Sequence, residues 1–180
     1  MNPHIHKFRL TVVGTGYFSQ FHYDAWHRLG VNLTGICSLK IEEAKKVSSN
    51  FENCDAFTNF EEMLALKKPN LVDVIVPPKD QVSIIEQCLE HRVPVICQKP
   101  FTTSLSEATD ITEKAEELGV SIFIHENFRF QPWHIEIKRL LEIGLLGEIY
   151  QCYFRRRPGD GRGPDAYLNR QPYFQKMERF

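Results

Sequence analysis

Three short stretches of this 180-residue chain hold residue types that do chemistry at a useful spacing. The first is Gly14-Thr15-Gly16-Tyr17-Phe18-Ser19, directly after an apolar run and directly before a helical pattern. In that context Gly14 permits a tight turn and Gly16 lets the backbone approach a pyrophosphate closely. Amides near Tyr17 and Phe18 then face phosphate with the positive end of the helix dipole. Ser19 stands where a third glycine is usual and is small enough for close helix–strand packing. The second stretch is Cys37-Ser38-Leu39-Lys40, after the second apolar run, where a ribose 2′-hydroxyl is often held by Asp or Glu. Neither acid is present there, and Ser38 and Lys40 can accept a 2′-phosphate, so the reading is NAD or NADP with a lean to NADP. A capping role for Ser38 and a solvated Lys40 are the alternative.

The third stretch is Gln98-Lys99-Pro100, at the end of another strand-like run. A lysine on a ligand-binding edge, held by an adjacent proline and partly desolvated, suits proton transfer or the orientation of a hydroxyl. A surface lysine on a connecting loop is the plainer reading of the same residues. Val76-Pro77-Pro78 makes a rigid loop able to border a nicotinamide ribose, and Asn127 can donate to and accept from a carboxamide or a substrate hydroxyl. Asn127 also suits a cap or turn, and His22 reads as a packing histidine within the first helix.

The elements that must position these residues alternate along the chain. Strand-like runs are 8–13, 31–37, a weak one near Ala56, 71–76, 93–97 and 120–125. Helical patterns run from the glycine turn to Leu29, then over 41–51, 60–66, 81–91 and 104–118. Such alternation predicts right-handed βαβ crossovers and an α/β fold with a doubly wound, mostly parallel sheet. Pro94 weakens the case for its own strand, since proline donates nothing to a ladder. After His125 the pattern changes to a helix over 131–143, a strand over 148–157 and the loop PGDGRGP. The expected organisation is a dinucleotide-binding Rossmann domain over 1–128, then, over 129–180, a linking helix and the opening of an incomplete α/β domain. Its strand, with Ile149 and Phe154, would have an uncovered edge and be mobile or paired with another chain.

Composition narrows the partners. There are 22 Lys+Arg against 23 Asp+Glu, a formal net charge of −1, which gives no electrostatic reason to expect nucleic acid or an anionic membrane. No run approaches a membrane span, and the first ten residues lack the apolar core of a secretory signal. Cys37, Cys54, Cys88, Cys97 and Cys152 form no C-x-x-C pair and offer no short His/Cys spacing for zinc. Free thiols in a cytoplasmic protein without a metal are the expectation.

Four motifs occur in order: VVGTGYFSQFH (12–22), DVIVPP (73–78), CQKPFTTSLSEA (97–108), and ENFRFQPW followed by GLLGEI up to Ile149. Together they resemble the glucose–fructose oxidoreductase / inositol dehydrogenase / rhizopine-catabolism (Gfo/Idh/MocA) family. The resemblance implies an N-terminal Rossmann domain and a C-terminal α/β domain with an open antiparallel sheet. It also implies hydride transfer between a nicotinamide and a carbinol carbon of a sugar, polyol or related substrate, usually in a homo-oligomer. By the same resemblance Lys99 is the lysine of the family's E-K-P motif, with Gln98 in place of the glutamate. The family's Asp and His on a second-domain helix match no residue of this chain. A non-catalytic NAD(P)-binding sensor or regulatory module is the alternative, and an S-adenosylmethionine methyltransferase is a third reading disfavoured by the Q-K-P lysine.

Overall fold

In the computed structural model the described residues are 8–155. Those up to Glu126 form one compact unit and those from Asn127 onward a second. The first unit is built from β1 (Arg9–Val13), α1 (Ser19–Leu29), β2 (Asn32–Cys37), α2 (Ile41–Ser48), β3 (Asp55–Phe57) and α3 (Phe60–Lys67). It continues with β4 (Leu71–Val74), α4 (Pro78–Glu90), β5 (Val95–Cys97), α5 (Leu105–Leu118) and β6 (Ile122–Ile124).

All six strands join one parallel sheet in the order β3-β2-β1-β4-β5-β6. This is the doubly wound order, in which the direction of winding reverses between β1 and β4 and opens a crevice at the carboxyl ends. The register matters for function. Phe57 pairs with Cys37, Cys37 with Val13, Val13 with Val74, Val74 with Cys97 and Cys97 with Ile124. Six strands therefore end level, and the loops after them share one edge.

Side chains alternate across the sheet and bury both faces. Leu10, Val12, Leu33 and Ile36 pack with Tyr23 of α1 and Ala44 of α2. Val13, Val72, Val74, Val95 and Cys97 pack on the other face with Met63, Ile85, Cys88, Leu89 and Ile111 from α3, α4 and α5. Each such buried aliphatic side chain contributes about 1.5–3 kcal/mol relative to exposure. The same alternation turns Asp73, the middle of β4, toward the α1 face.

Several boundaries differ from the sequence reading, each for a local reason. α2 ends at Ser48 rather than Phe51. The Ser48, Ser49 and Asn50 side chains donate to carbonyls three or four residues back, which offers the backbone an exit from the helix. β4 stops at Val74, and α4 begins at Pro78 instead of Gln81, because proline suits the first helical position. β5 starts after Pro94, whose carbonyl still accepts from Val72 N at 3.0 Å. α5 begins after Ser104, whose hydroxyl accepts from Glu107 N (3.2 Å) while the Glu107 carboxylate accepts from Thr103 N (3.1 Å).

In the second unit Asn127–Phe130 form a 3-10 turn and α6 spans Pro132–Glu142. The strand expected over 148–157 is absent from its described part, 148–155, which has no regular structure. A strand needs a neighbouring backbone to exist, and none pairs with this segment among the described residues. Residues 156 and 157 lie outside the described residues.

Candidate functional site

The glycine turn joins β1 to α1 at the level edge. Gly14 has φ +113°, and a Cβ there would stand 2.2 Å from the Ile75 carbonyl oxygen, so only glycine lets the ends of β1 and β4 approach this closely. Its N–H donates to Cys37 O (2.9 Å) and its carbonyl accepts from Tyr23 Oη (2.8 Å), which locks the turn to β2 and α1. Gly16 differs. A Cβ there would meet no atom within 4 Å, so its hydrogen faces open space beside the start of α1. Ser19, in the third glycine's place, is buried and donates its hydroxyl to Gly16 O at 2.6 Å, which keeps helix and turn close without a glycine. Tyr17 is exposed, whereas the Phe18 ring packs against the α1 side of the core. A cleft of about 390 Å³ adjoins the turn, lined among others by Thr15, Gly16, Tyr17, Gln20 and Asn50. Open space at Gly16, beside the positive end of α1, fits a pyrophosphate, the group that the fold accommodates at this point.

At the end of β2 the expected pair is only half available. Ser38 caps no helix; its hydroxyl and that of Thr15 are 2.7 Å apart. Thr15 Oγ1 donates to Glu43 Oε2 (3.0 Å), so the shared proton between the hydroxyls comes from Ser38. Lys40 Nζ donates to Glu43 Oε1 at 3.1 Å. Hydrogen bonds from Lys40, then from Thr15, hold the Glu43 carboxyl below its ordinary value. An acid is thus present at this corner after all. It escaped the sequence reading because it comes from the first turn of α2, not from the strand end.

Lys99 lies on the loop after β5, and both it and Pro100 are exposed, so the partial desolvation expected of this lysine is not seen. The Lys99–Pro100 peptide bond is cis. What fixes this loop is Gln81, a fully buried side chain of α4. Its amide nitrogen donates to Gln98 O (2.9 Å) and Phe101 O (2.7 Å), and its oxygen accepts from Gln98 N (3.1 Å).

Gln98 also joins a polar chain, buried at its inner end, that the sequence did not reveal. Asp73 is 0% and His22 7% exposed, with Asp73 Oδ2 2.8 Å from His22 Nδ1. Trp26 Nε1 donates to the same oxygen at 2.7 Å, and Asp73 Oδ1 has no partner among the described residues. Gln98 Nε2 lies 2.6 Å from His22 Nε2 and 3.2 Å from His125 Nδ1. An amide donating to both rings is consistent with the proton of His22 on Nδ1, facing the carboxylate. Burial first, then His22, holds the His125 imidazole below its ordinary value, with Asp73 acting in the opposite sense. An acid in the middle of the apolar run LVDVIV was the available signal, since a buried carboxylate requires donors.

The edge therefore brings together Gly14, Gly16, Ser38, Val76 and the Gln98–Lys99 loop, with Val76 Cγ1 3.4 Å from the position of a Gly14 Cβ. Pro77 precedes α4 as its N-terminal boundary residue. Asn127 opens the 3-10 turn of the second unit. His22 is the buried residue that the sequence suggested, but in a hydrogen-bonded pair rather than in apolar packing alone. Among the described residues no group of three or more His, Cys, Asp or Glu is placed to hold a metal ion, and no helix is long and apolar enough to cross a membrane.

Residues 8–126, the span that carries this edge, match an oxidoreductase family with an NAD-binding Rossmann fold, Gfo/Idh/MocA. The chain belongs to that family. A D-apiose dehydrogenase of Rhizobium rhizogenes is 30% identical over 170 residues, 94% of this chain and 48% of that protein. An inositol 2-dehydrogenase of Mycolicibacterium smegmatis is 28% identical over 82% of this chain and 44% of its own length. Among solved structures, an oxidoreductase from Agrobacterium radiobacter in complex with NAD+, L-tartaric acid and magnesium superimposes with a TM-score of 0.73. It is 29% identical, covering 78% of this chain and 42% of that one. The chain spans about half the length of the curated D-apiose dehydrogenases that it matches. Membership of Gfo/Idh/MocA sets aside the methyltransferase reading.

Proposed function

We propose that this chain binds a nicotinamide dinucleotide along the level edge and serves an oxidoreductase that acts on the carbinol carbon of a sugar, polyol or related compound. The observation that carries this reading is the register. Strand ends held level by five parallel pairings put the Gly14–Gly16 turn and the Gln98–Lys99 loop on one edge, on either side of the β1–β4 crevice. The family's dehydrogenase relatives favour catalysis over a purely sensory module.

Gly14, Gly16 and the amides near Tyr17 and Phe18 hold the pyrophosphate in this reading, with Ser38 and Lys40 beside the adenosine ribose. Val76, Pro77 and Gln98 border the nicotinamide end. When bound, the cofactor supplies the hydride acceptor or donor. Lys99 Nζ orients the substrate hydroxyl and assists its loss of a proton, while Gln81 holds the backbone on both sides of Lys99 in place. Free thiols, four of them raised by burial (Cys37 to about 11, Cys54 and Cys97 to about 12), suit a reducing cytoplasm, and a homo-oligomer is the assembly proposed.

The test is Lys99→Met with NAD(P)H production followed across a sugar and polyol panel. Turnover should fall by about 100-fold or more while cofactor affinity changes less than about threefold, the pattern of a lost proton-transfer group. Unchanged turnover removes Lys99 from the reaction.

A further inference from the structure

We propose that Glu43 makes this site select NAD over NADP, by holding a carboxylate where the adenosine ribose meets the end of β2. The inference rests on the reading of this edge as a nicotinamide dinucleotide site. In such folds the residue after the second strand faces the ribose, and that residue here is Ser38. Glu43 is tied to the same place. Thr15, inside the glycine turn, is bonded to the Ser38 hydroxyl on one side (2.7 Å) and to Glu43 Oε2 on the other (3.0 Å). Three oxygens from the turn, the strand end and α2 thus form one polar corner.

The chemistry of that corner discriminates. A carboxylate accepts hydrogen bonds from neutral ribose hydroxyls, whereas a 2′-phosphate brings like charge against it. Lys40, the cation that suggested NADP from sequence alone, is not surplus, because its ammonium is bonded to Glu43 Oε1 at 3.1 Å. Glu42, the other acid of this turn, is paired with Lys45 Nζ at 3.4 Å, so it offers Lys40 no competing partner and leaves Glu43 as the acid of the corner. A phosphate would therefore meet a corner whose lysine already faces a carboxylate. The half-exposed Glu43 side chain supports no core packing, so its replacement leaves the fold intact.

The experiment titrates the full chain with NADH and with NADPH, following nucleotide fluorescence, for the wild type and for Glu43→Gln. The glutamine keeps the shape but removes the charge, which leaves the Lys40 ammonium without its counter-charge. The wild type should hold NADH more tightly by about tenfold or more, and Glu43→Gln should raise the NADPH-to-NADH affinity ratio by about tenfold, with an unchanged melting temperature. A wild type that prefers NADPH, or a ratio that moves less than about threefold in the variant, overturns the role of Glu43 while leaving the nucleotide site standing. A wild type that binds neither nucleotide overturns both.

Discussion

Asp73 and His22 show how a single buried pair can matter more than its neighbours. Both are almost wholly removed from solvent, and Asp73 has Trp26 as its other donor at the same oxygen. Replacing His22 by leucine leaves a carboxylate in the sheet with one partner in place of two. Taking a hydrogen-bond donor from a buried carboxylate leaves its charge poorly compensated, so His22→Leu should cost about 3 kcal/mol in urea unfolding at neutral pH. A loss below about 1 kcal/mol would mean that Asp73 is satisfied by other means. These partners stand 51 positions apart in the chain, too far for any local pattern to pair them. Glu43 was hidden for a different reason. A ribose-binding acid is expected at the strand end itself, whereas Glu43 reaches back from the helix beyond it. By contrast, Gly14 and Gly16 were legible at once, because their role depends on lacking a side chain between a strand and a helix.

At the scale of elements, β-branched runs and amphipathic stretches were enough to foresee six strands and the helices between them. Their ends were set by chemistry that periodicity does not report: serine and asparagine bonding back at the end of α2, and proline before β5 and at the start of α4. The segment 148–155 has the alternation of a strand but no partner backbone among the described residues, so alternation alone was insufficient. How closely β1 and β4 approach depends on Gly14. Gly14→Ala forces a Cβ into the Ile75 carbonyl at a backbone angle that disfavours side chains, and should cost about 3 kcal/mol in a thermal or urea melt. A melt like that of the wild type would show that the two strand ends can part without penalty.

For the molecule as a whole, one parallel sheet gathers residues from position 14 to position 99 on a single edge, next to an open glycine and a helix start. The fold class was readable in the sequence because a doubly wound sheet repeats the same strand–helix unit. The polar chain beneath the Lys99 loop was not, because it depends on which faces of α1, β4 and β5 meet. The central claim is that this edge binds a nicotinamide dinucleotide through the turn at Gly16, and Gly16→Val addresses it directly. A Cβ at Gly16 touches no protein atom, so the variant should fold and melt like the wild type while blocking the approach of a pyrophosphate. Titration of both proteins with NADH, read by energy transfer from tryptophan, should give saturable wild-type binding with a Kd on the order of micromolar and a loss of about 100-fold in Gly16→Val. Absence of binding in the wild type, or equal affinity in the two proteins, would contradict the account.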